Sequence, residues 1–369
     1  MSTPHPPNNI SIHPLNLDQD LASVHNLWTI SFLNYPLTES HLEKLISHKN
    51  GHHLLASIAG EPVGFCLAYT KTTAAAKKNE DEDQNNQYDG DKPIITTTGY
   101  IAVLAVNPSY RNKGVGITLL NNIKTWFRKE FGRCRIEVGS GIPRFWPGIP
   151  VPIAGSAETS PETEAECRVE GTAALQFFIN RGFHIRPDPP RAVDLYRNIQ
   201  SFRLDERGEG VVYGQRAKDA GYTFSPLTED GYEECLREQE RNFGHNADWV
   251  NAYRTLHPTR HPQSVMTTYD STGKQAAWTL MLPPASPLVE KVWAMPAVCG
   301  TSTGLIGCVG VDKEHRGSGV GIALVAEAME SLRSRGVQGV FVDWVAIEGF
   351  YESLGFGVWG RYRVGEIIV

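Results

Sequence analysis

Apolar residues along the chain recur at helical and at strand spacing, and the same succession of elements comes round twice. Residues 10–15 read as a strand, and Leu21, Val24, Leu27, Trp28 and Phe32 fall on one face of a helix over Asp18–Phe32. A second helix covers Thr38–Lys49. Two strand-like runs, His53–Ile58 and Val63–Tyr69, form a hairpin turning at Gly60. A strand over Tyr100–Val106, a glycine turn over Arg111–Gly116, a helix over Ile117–Phe131 and a strand over Cys134–Val138 follow. The second half repeats the order: a strand over Tyr222–Pro226, helices over Glu229–Asn242 and Ala247–Thr255, and strands over Gln263–Tyr269 and Gln275–Leu282. After a connection at 283–303 come a strand over Leu305–Val311, a second glycine turn, a helix over Ile322–Arg335 and a strand that ends near Asp343. Strands and helices in this order predict an α/β protein with one mixed sheet in each half.

Two short turns carry the chemistry. Arg111, Asn112, Lys113, Gly114, Val115 and Gly116 lie between strand and helix in the first half, and Arg316, Gly317, Ser318, Gly319, Val320 and Gly321 take the same place in the second. Glycine lets the backbone approach a ligand closely, and the first N–H groups of the helix that starts on the turn have no partner within it. With the positive end of the helix dipole they suit a phosphate or pyrophosphate, and the arginine adds charge. Downstream of each turn stands a second repeat: Phe177 and Phe178 followed by Gly182 and Phe183, then Phe350 and Tyr351 followed by Gly355 and Phe356. That spacing by itself describes a helix that buries aromatics and closes on a glycine.

The two motifs, in this order and in both halves, resemble the acetyl-CoA-binding signature of the Gcn5-related N-acetyltransferase (GNAT) superfamily. The resemblance implies two tandem GNAT folds using acetyl-CoA as co-substrate. It places Val309 and Val311 along the pantetheine arm and residues Arg316 to Gly321 around the pyrophosphate, with Arg111, Lys113, Gly114, Val115 and Gly116 as their first-half counterparts. It further implies direct attack of a primary amine on the thioester, whose carbonyl a backbone N–H near Val309 polarises; such donors contribute about 3 kcal/mol where they have been removed elsewhere. Tyr351 matches the general acid of many members, and it also has a plain reading as a core aromatic with its hydroxyl at the edge. Phe178, its counterpart, has no proton to give. Many members carry a glutamate on the fourth strand, but Ile306–Val311 contains no carboxylate. The base is therefore sought at Asp343, with Glu348 and Glu352 as rivals; Asp343 equally reads as a structural carboxylate.

The interval from Gly116 to Gly182 is about twice that from Gly321 to Gly355, and the excess falls within Gly139–Val169. The proline-aromatic stretch Pro143–Pro150 in it is expected either to hang over the first domain's acceptor cleft or to pack on the partner domain. Residues 77–93 have almost no apolar content and are expected to form a disordered loop. Arg186–Tyr196 reads as the strand that finishes the first domain. The expected division is a first domain over 1–196 with insertions at 77–93 and 139–169, weak in catalysis or structural. A linker over 197–220 and a catalytic domain over 221–369 complete it, the two domains packing on each other.

Composition adds bounds. A chain of 369 residues suits two domains, and 41% hydrophobic with 21% charged residues is ordinary for a folded protein. The net charge of -6 leaves no basic footprint for nucleic acid and tolerates a cationic amine. No run is long enough to span a membrane, and residues 1–14 lack the apolar core of a secretory signal. The six cysteines (66, 134, 167, 235, 299 and 308) show no zinc spacing and fit reduced thiols, so a cytoplasmic protein without metal is expected. Cys308 reads as a small buried residue. The histidines at 48, 52 and 53 and at 257 and 261 lack the helical geometry of a metal pair.

Two other functions compete. Gly317, Gly319 and Gly321 after a strand, with Asp343 further on, superficially mimic a dinucleotide-binding oxidoreductase, but the polar residues Asp312–Arg316 intervene and the third glycine comes one place early. A non-catalytic acyl-CoA sensor or scaffold would keep the cradle without turnover; the carboxylate-free fourth strand favours it and Tyr351 opposes it. The Phe145-Trp146 loop and the two-domain layout look most like tandem acetyltransferases of glucosamine-type amino sugars, including members associated with β-N-acetylglucosaminidases. The expected partner is a small-molecule amine, with an amino sugar such as glucosamine as one candidate beside aminoglycoside and thiol-precursor amines.

Overall fold

The computed structural model describes residues 9–75, 94–139, 141–151, 173–186, 192–205 and 213–369, so the stretch 77–93 lies outside the described residues. The chain divides into two compact units, Met1–Pro187 with Tyr362–Val369, and Asp188–Arg361.

In the first unit β1 (Ile10–Pro14) leads into α1 (Leu17–Ser31), which begins where the Asn16 side chain accepts the Asp18 N–H, and then α2 (Glu39–Ile46), capped by Thr38. The hairpin of β2 (Gly51–Ile58) and β3 (Glu61–Ala75) turns through Ala59 and Gly60, both at positive φ. β4 (Ile94–Val106), α3 (Val115–Phe131), β5 (Arg135–Val138), β6 (Ile149–Val151), a helix α4 over residues 173–179 and β7 (His184–Ile185) follow. Leu119, Leu120, Ile123 and Phe127 of α3 bury one helical face against Ala68, Ile101 and Ile136 of the sheet.

The second unit runs β8 (Val193–Asn198), α5 (Gln215–Asp219), β9 (Thr223–Pro226), α6 (Tyr232–Phe243), α7 (Ala247–Thr255), β10 (Val265–Tyr269) and β11 (Gln275–Leu282). It continues through α8 (Pro287–Val292), α9 (Met295–Val298), β12 (Thr303–Val311), α10 (Val320–Ser334), β13 (Gly339–Val345) and β14 (Gly357–Arg363). Its strands lie in the order β14-β8-β13-β12-β11-β10-β9. β11 is buried along its whole length, as a central strand covered on both faces must be. The last strand, β15 (Gly365–Ile368), returns to the first sheet, whose order is β1-β2-β3-β4-β5-β15-β7.

The domain boundaries differ from those read in the sequence. The stretch Arg186–Tyr196 does not finish the first sheet: β8 pairs antiparallel with β13 and β14 of the second unit. The place it was expected to fill is taken by β15, between β5 and β7. Side chains fix both choices, because Val193 and Leu195 of β8 enter the second core while Arg186 reaches Glu366 of β15 and Glu137 of β5. Nor is 197–220 simply a linker. Ile199, Phe202, Tyr213 and Ala217 belong to the second core, and α5 lies on α10, tied by Lys218 to Glu327 at 2.8 Å. The connection 283–303 likewise contains α8 and α9, each with proline in its first turn.

Candidate active site

The two glycine turns have nearly the same backbone. Gly114 (φ 88°, ψ -10°) and Gly319 (φ 84°, ψ -1°) cap α3 and α10 in the left-handed region, where a side chain would be strained. Gly317 also has positive φ, and its counterpart Asn112 holds φ 62° with the residue type most tolerant of that region after glycine. A methyl group added at Gly317 would meet nothing within 4 Å, and at Gly319 it would meet only the Arg216 side chain, at 3.8 Å. The cradle is open on the ligand side, with Arg316 in the turn and Arg216 of α5 beside it. In the first copy the Lys113 ammonium lies 4.9 Å from the centre of the Tyr110 ring.

The third glycine joins the two motifs. A Cβ on Gly321 would come within 3.3 Å of Phe350 and of Val311, and one on Gly116 within 3.3 Å of Phe177. The aromatic segments also fold alike: the Phe183 and Phe356 N–H groups donate to the Phe178 and Tyr351 carbonyls at 3.1 and 3.2 Å, through Gly182 and Gly355 at positive φ. Tyr351 is thus the positional equivalent of Phe178, and both rings are buried. Arg197 of β8 donates to the Leu354 carbonyl and braces the tyrosine segment.

In the second unit β12 and β13 pair in parallel only from Thr303 with Gly339 to Leu305 with Phe341. The ladder ends there, and the strands run on separately to Val311 and Val345. Each diverging strand carries an irregularity. On β12 the pairing with β11 shifts so that Cys308 and Val309 together face Thr279, with Cys308 at φ 49°. On β13 Asp343 and Trp344 face Asp194, with Trp344 at φ 48°, and the buried Asp194 carboxylate accepts the Trp344 N–H at 2.9 Å. Bulges add twist and bend a strand out of its ladder, and left-handed residues other than glycine store strain where the surroundings hold them.

The predicted catalytic residues gather at this gap. The Asp343 carboxylate accepts the Trp293 indole N–H at 2.9 Å. Burial pushes the Tyr351 phenol up from its ordinary range, with further contributions from Cys308 and Asp343, so the three groups lie within electrostatic reach of one another. Tyr253 of α7, also buried, donates its hydroxyl to the Cys308 carbonyl at 2.7 Å. Phe243 and Trp249 stack at 4.7 Å over Gly310, whose Cβ would lie 2.5 Å from Phe243, so only glycine fits beneath the pair. The Trp249 indole N–H is held by Gln239 at 2.8 Å.

Family comparison decides what this arrangement belongs to. The acetyltransferase (GNAT) family profile matches residues 21–141, and an acetyltransferase (GNAT) domain profile matches residues 289–358, together more than half of the chain. The chain is a tandem member of the GNAT acetyltransferase family. The fold is similar over 98% of the chain to a GCN5-related glucosamine N-acetyltransferase region of a fungal multi-domain GH3 β-N-acetylglucosaminidase, at 25% identity and TM-score 0.76. The chain spans 38% of that protein's length. It also resembles a tandem GNAT protein from the clavulanic acid biosynthesis pathway over 98% of both chains, at 17% identity and TM-score 0.59. A third likeness is to a GCN5-related N-acetyltransferase from Sphaerobacter thermophilus, over 99% of this chain and 97% of that one, at 15% identity and TM-score 0.63. Comparison with curated protein sequences gives no significant match.

The parallel ladder of the first GNAT unit is one residue pair longer than that of the second. In the first, the ladder between β4 and β5 runs on to Ile101 with Val138, and the Gly139 N–H then donates to the Ile101 carbonyl at 3.0 Å. The proline-aromatic stretch packs on α1 of the same unit: Trp146 stacks parallel to Trp28 at 5.6 Å, with Phe32 and Tyr35 around it. Among the described residues no cluster of His, Cys, Asp or Glu is arranged to hold a metal, and no helix is long and apolar enough to cross a membrane. Tyr253 and Trp293 reach the gap, and Arg216 the cradle, from elements outside the motifs, so only the fold reveals them.

Proposed function

We propose that the second GNAT unit is the working N-acetyltransferase, using acetyl-CoA to acetylate a primary amine of a small molecule, and that this amine belongs to an amino sugar such as glucosamine. The reading rests on the gap between β12 and β13, which opens next to a glycine cradle and has Tyr351 and Asp343 within electrostatic influence of each other. The N–H groups of Arg316 to Gly321, with the Arg316 and Arg216 guanidinium groups, would hold the pyrophosphate, and Val309 and Val311 would border the pantetheine arm. Bound acetyl-CoA supplies an activated thioester. The Val309 N–H polarises its carbonyl. Asp343, held by Trp293, takes the proton from the amine directly or through water. Burial keeps the Tyr351 phenol protonated, so its hydroxyl hydrogen-bonds to the departing sulfur, a role worth ~10² to 10⁴ in rate.

The first unit, with its longer ladder and Phe178 in place of the tyrosine, keeps a phosphate cradle at Arg111, Lys113, Gly114, Val115 and Gly116 without the acid. It is proposed as a structural or CoA-holding copy. Support for an amino sugar comes from the similarity to the glucosamine N-acetyltransferase region at 25% identity, with the net charge of -6 permitting a cationic acceptor. The test is thiol release from acetyl-CoA with glucosamine, other amino sugars, aminoglycosides, polyamines and peptides. Glucosamine or another amino sugar should give the highest kcat/KM. Turnover confined to peptides or polyamines would overturn the acceptor, and tight acetyl-CoA binding without release to any amine would favour a sensor.

A further inference from the structure

The Tyr253 hydroxyl does not belong to either motif, yet it is spent on one backbone carbonyl in the middle of the site. We propose that Tyr253 is a positioning residue: by holding the Cys308 carbonyl it aims the Val309 N–H at the thioester carbonyl. This rests on the acetyl-CoA reading of the second unit given above.

The argument starts from the peptide plane. The Cys308 C=O and the Val309 N–H belong to one trans peptide, so they point in opposite directions, and fixing one fixes the other. Between Gly307, which faces Leu280, and Gly310, which faces Trp278, the peptide joining Cys308 and Val309 sits in the bulge, where regular ladder bonding does not dictate its rotation. Cys308 holds φ 49°, a conformation unfavourable for a residue with a Cβ, so something outside the strand must pay for this setting. The 2.7 Å bond from Tyr253 is that partner. Tyr253 is only 1% exposed, and Tyr232 ties the same helix by donating its hydroxyl to the Arg254 carbonyl at 2.9 Å. The phenol therefore stands on a fixed base. A donor on the carbonyl also polarises the whole amide and makes its N–H a stronger donor, since bonds in a chain strengthen one another. The hydroxyl acts through Val309 and need not touch the acyl group.

The test uses the full-length protein and a readout that needs no acceptor. Acetyl-CoA labelled with ¹³C at the acyl carbonyl is bound to the wild type and to Tyr253→Phe, and the carbonyl stretch is measured by infrared difference spectroscopy, with calorimetry on the same samples. The wild type should shift the carbonyl to lower frequency than in free acetyl-CoA. Tyr253→Phe should lose much of that shift while its Kd stays within about twofold, because the cradle is untouched. With an active acceptor, kcat should fall about tenfold, less than the ~10² to 10³ seen when such a donor is removed outright, with KM for acetyl-CoA little changed. A purely structural role would loosen binding or stability and leave the carbonyl frequency of the bound fraction unaltered. If Tyr253→Phe does not fold, 3-fluorotyrosine at position 253 keeps the shape and strengthens the donor, and it should deepen the shift. An unchanged frequency in the variant that folds overturns the proposal. A wild type that binds acetyl-CoA with an unshifted carbonyl also overturns it, whereas a wild type that binds no acetyl-CoA overturns the reading on which it rests.

Discussion

Tyr351 and Phe178 occupy the same place in two copies of one turn, and a single oxygen separates them. Tyr351→Phe turns the second copy into the first while keeping the ring contacts with Phe350 and Phe356. It is expected to lower turnover by ~10² or more with little change in acetyl-CoA affinity, read from kcat beside a calorimetric Kd. Near-normal turnover would move the acid elsewhere. The positions of Tyr351 and Asp343 could be read from the sequence because one stands in a motif turn and the other near a strand end, while their catalytic roles remain proposals. Cys308 and Trp344 could not be singled out in this way, for their left-handed conformations occur without the glycine that would announce them, and the groups that hold them, Tyr253 and Asp194, are far away in sequence.

At the scale of elements, the strand, glycine turn and helix that make each cradle can be read from local chemistry alone. Gly319→Asp adds a strained side chain and a negative charge where the pyrophosphate is proposed to sit. A like charge at ~4 Å costs about 1 to 4 kcal/mol near a protein surface, so CoA affinity should drop tenfold or more, while Gly114→Asp should leave turnover nearly intact. Equal loss from both variants, measured by calorimetry and rates, would mean two working sites. The pairing of strands was harder to read, since apolar alternation says that β8 and β15 are strands and nothing about which sheet each joins. Charge supplies part of that choice. Arg186 holds the Glu366 carboxyl below its ordinary value of 4.5, with smaller help from Arg135 and His184. A depressed carboxyl stabilises the fold in full above pH ~4.5 and loses that contribution as pH falls through the lower folded value. The melting temperature of the wild type should therefore exceed that of Glu366→Gln at pH 7 and converge on it in acid. A constant gap down to pH ~2 would show that the pair does not anchor β15.

At the scale of the whole molecule, two copies in the sequence do not coincide with two lengths of chain. β15 stands between β5 and β7, and the Val369 N–H and carbonyl exchange hydrogen bonds with Cys134 at 3.0 and 3.3 Å. Removing residues 364–369 should expose β5 and β7 and abolish the cooperative unfolding of the first unit. Hydrogen exchange would show it: amides of 135–138 should lose protection while those of 277–282 keep it, and retained protection at 135–138 would show that the strand is dispensable. The repeats signalled two units, but a duplication reads as a tandem whether or not its last strands change places. That exchange also sets a timetable. As the chain leaves the ribosome, every strand of the second unit, from β8 through β14, has been made before residues 365–368 appear. The first unit, made before the second, must hold an unfilled slot in its sheet throughout, so the unit made first is the one whose sheet closes last.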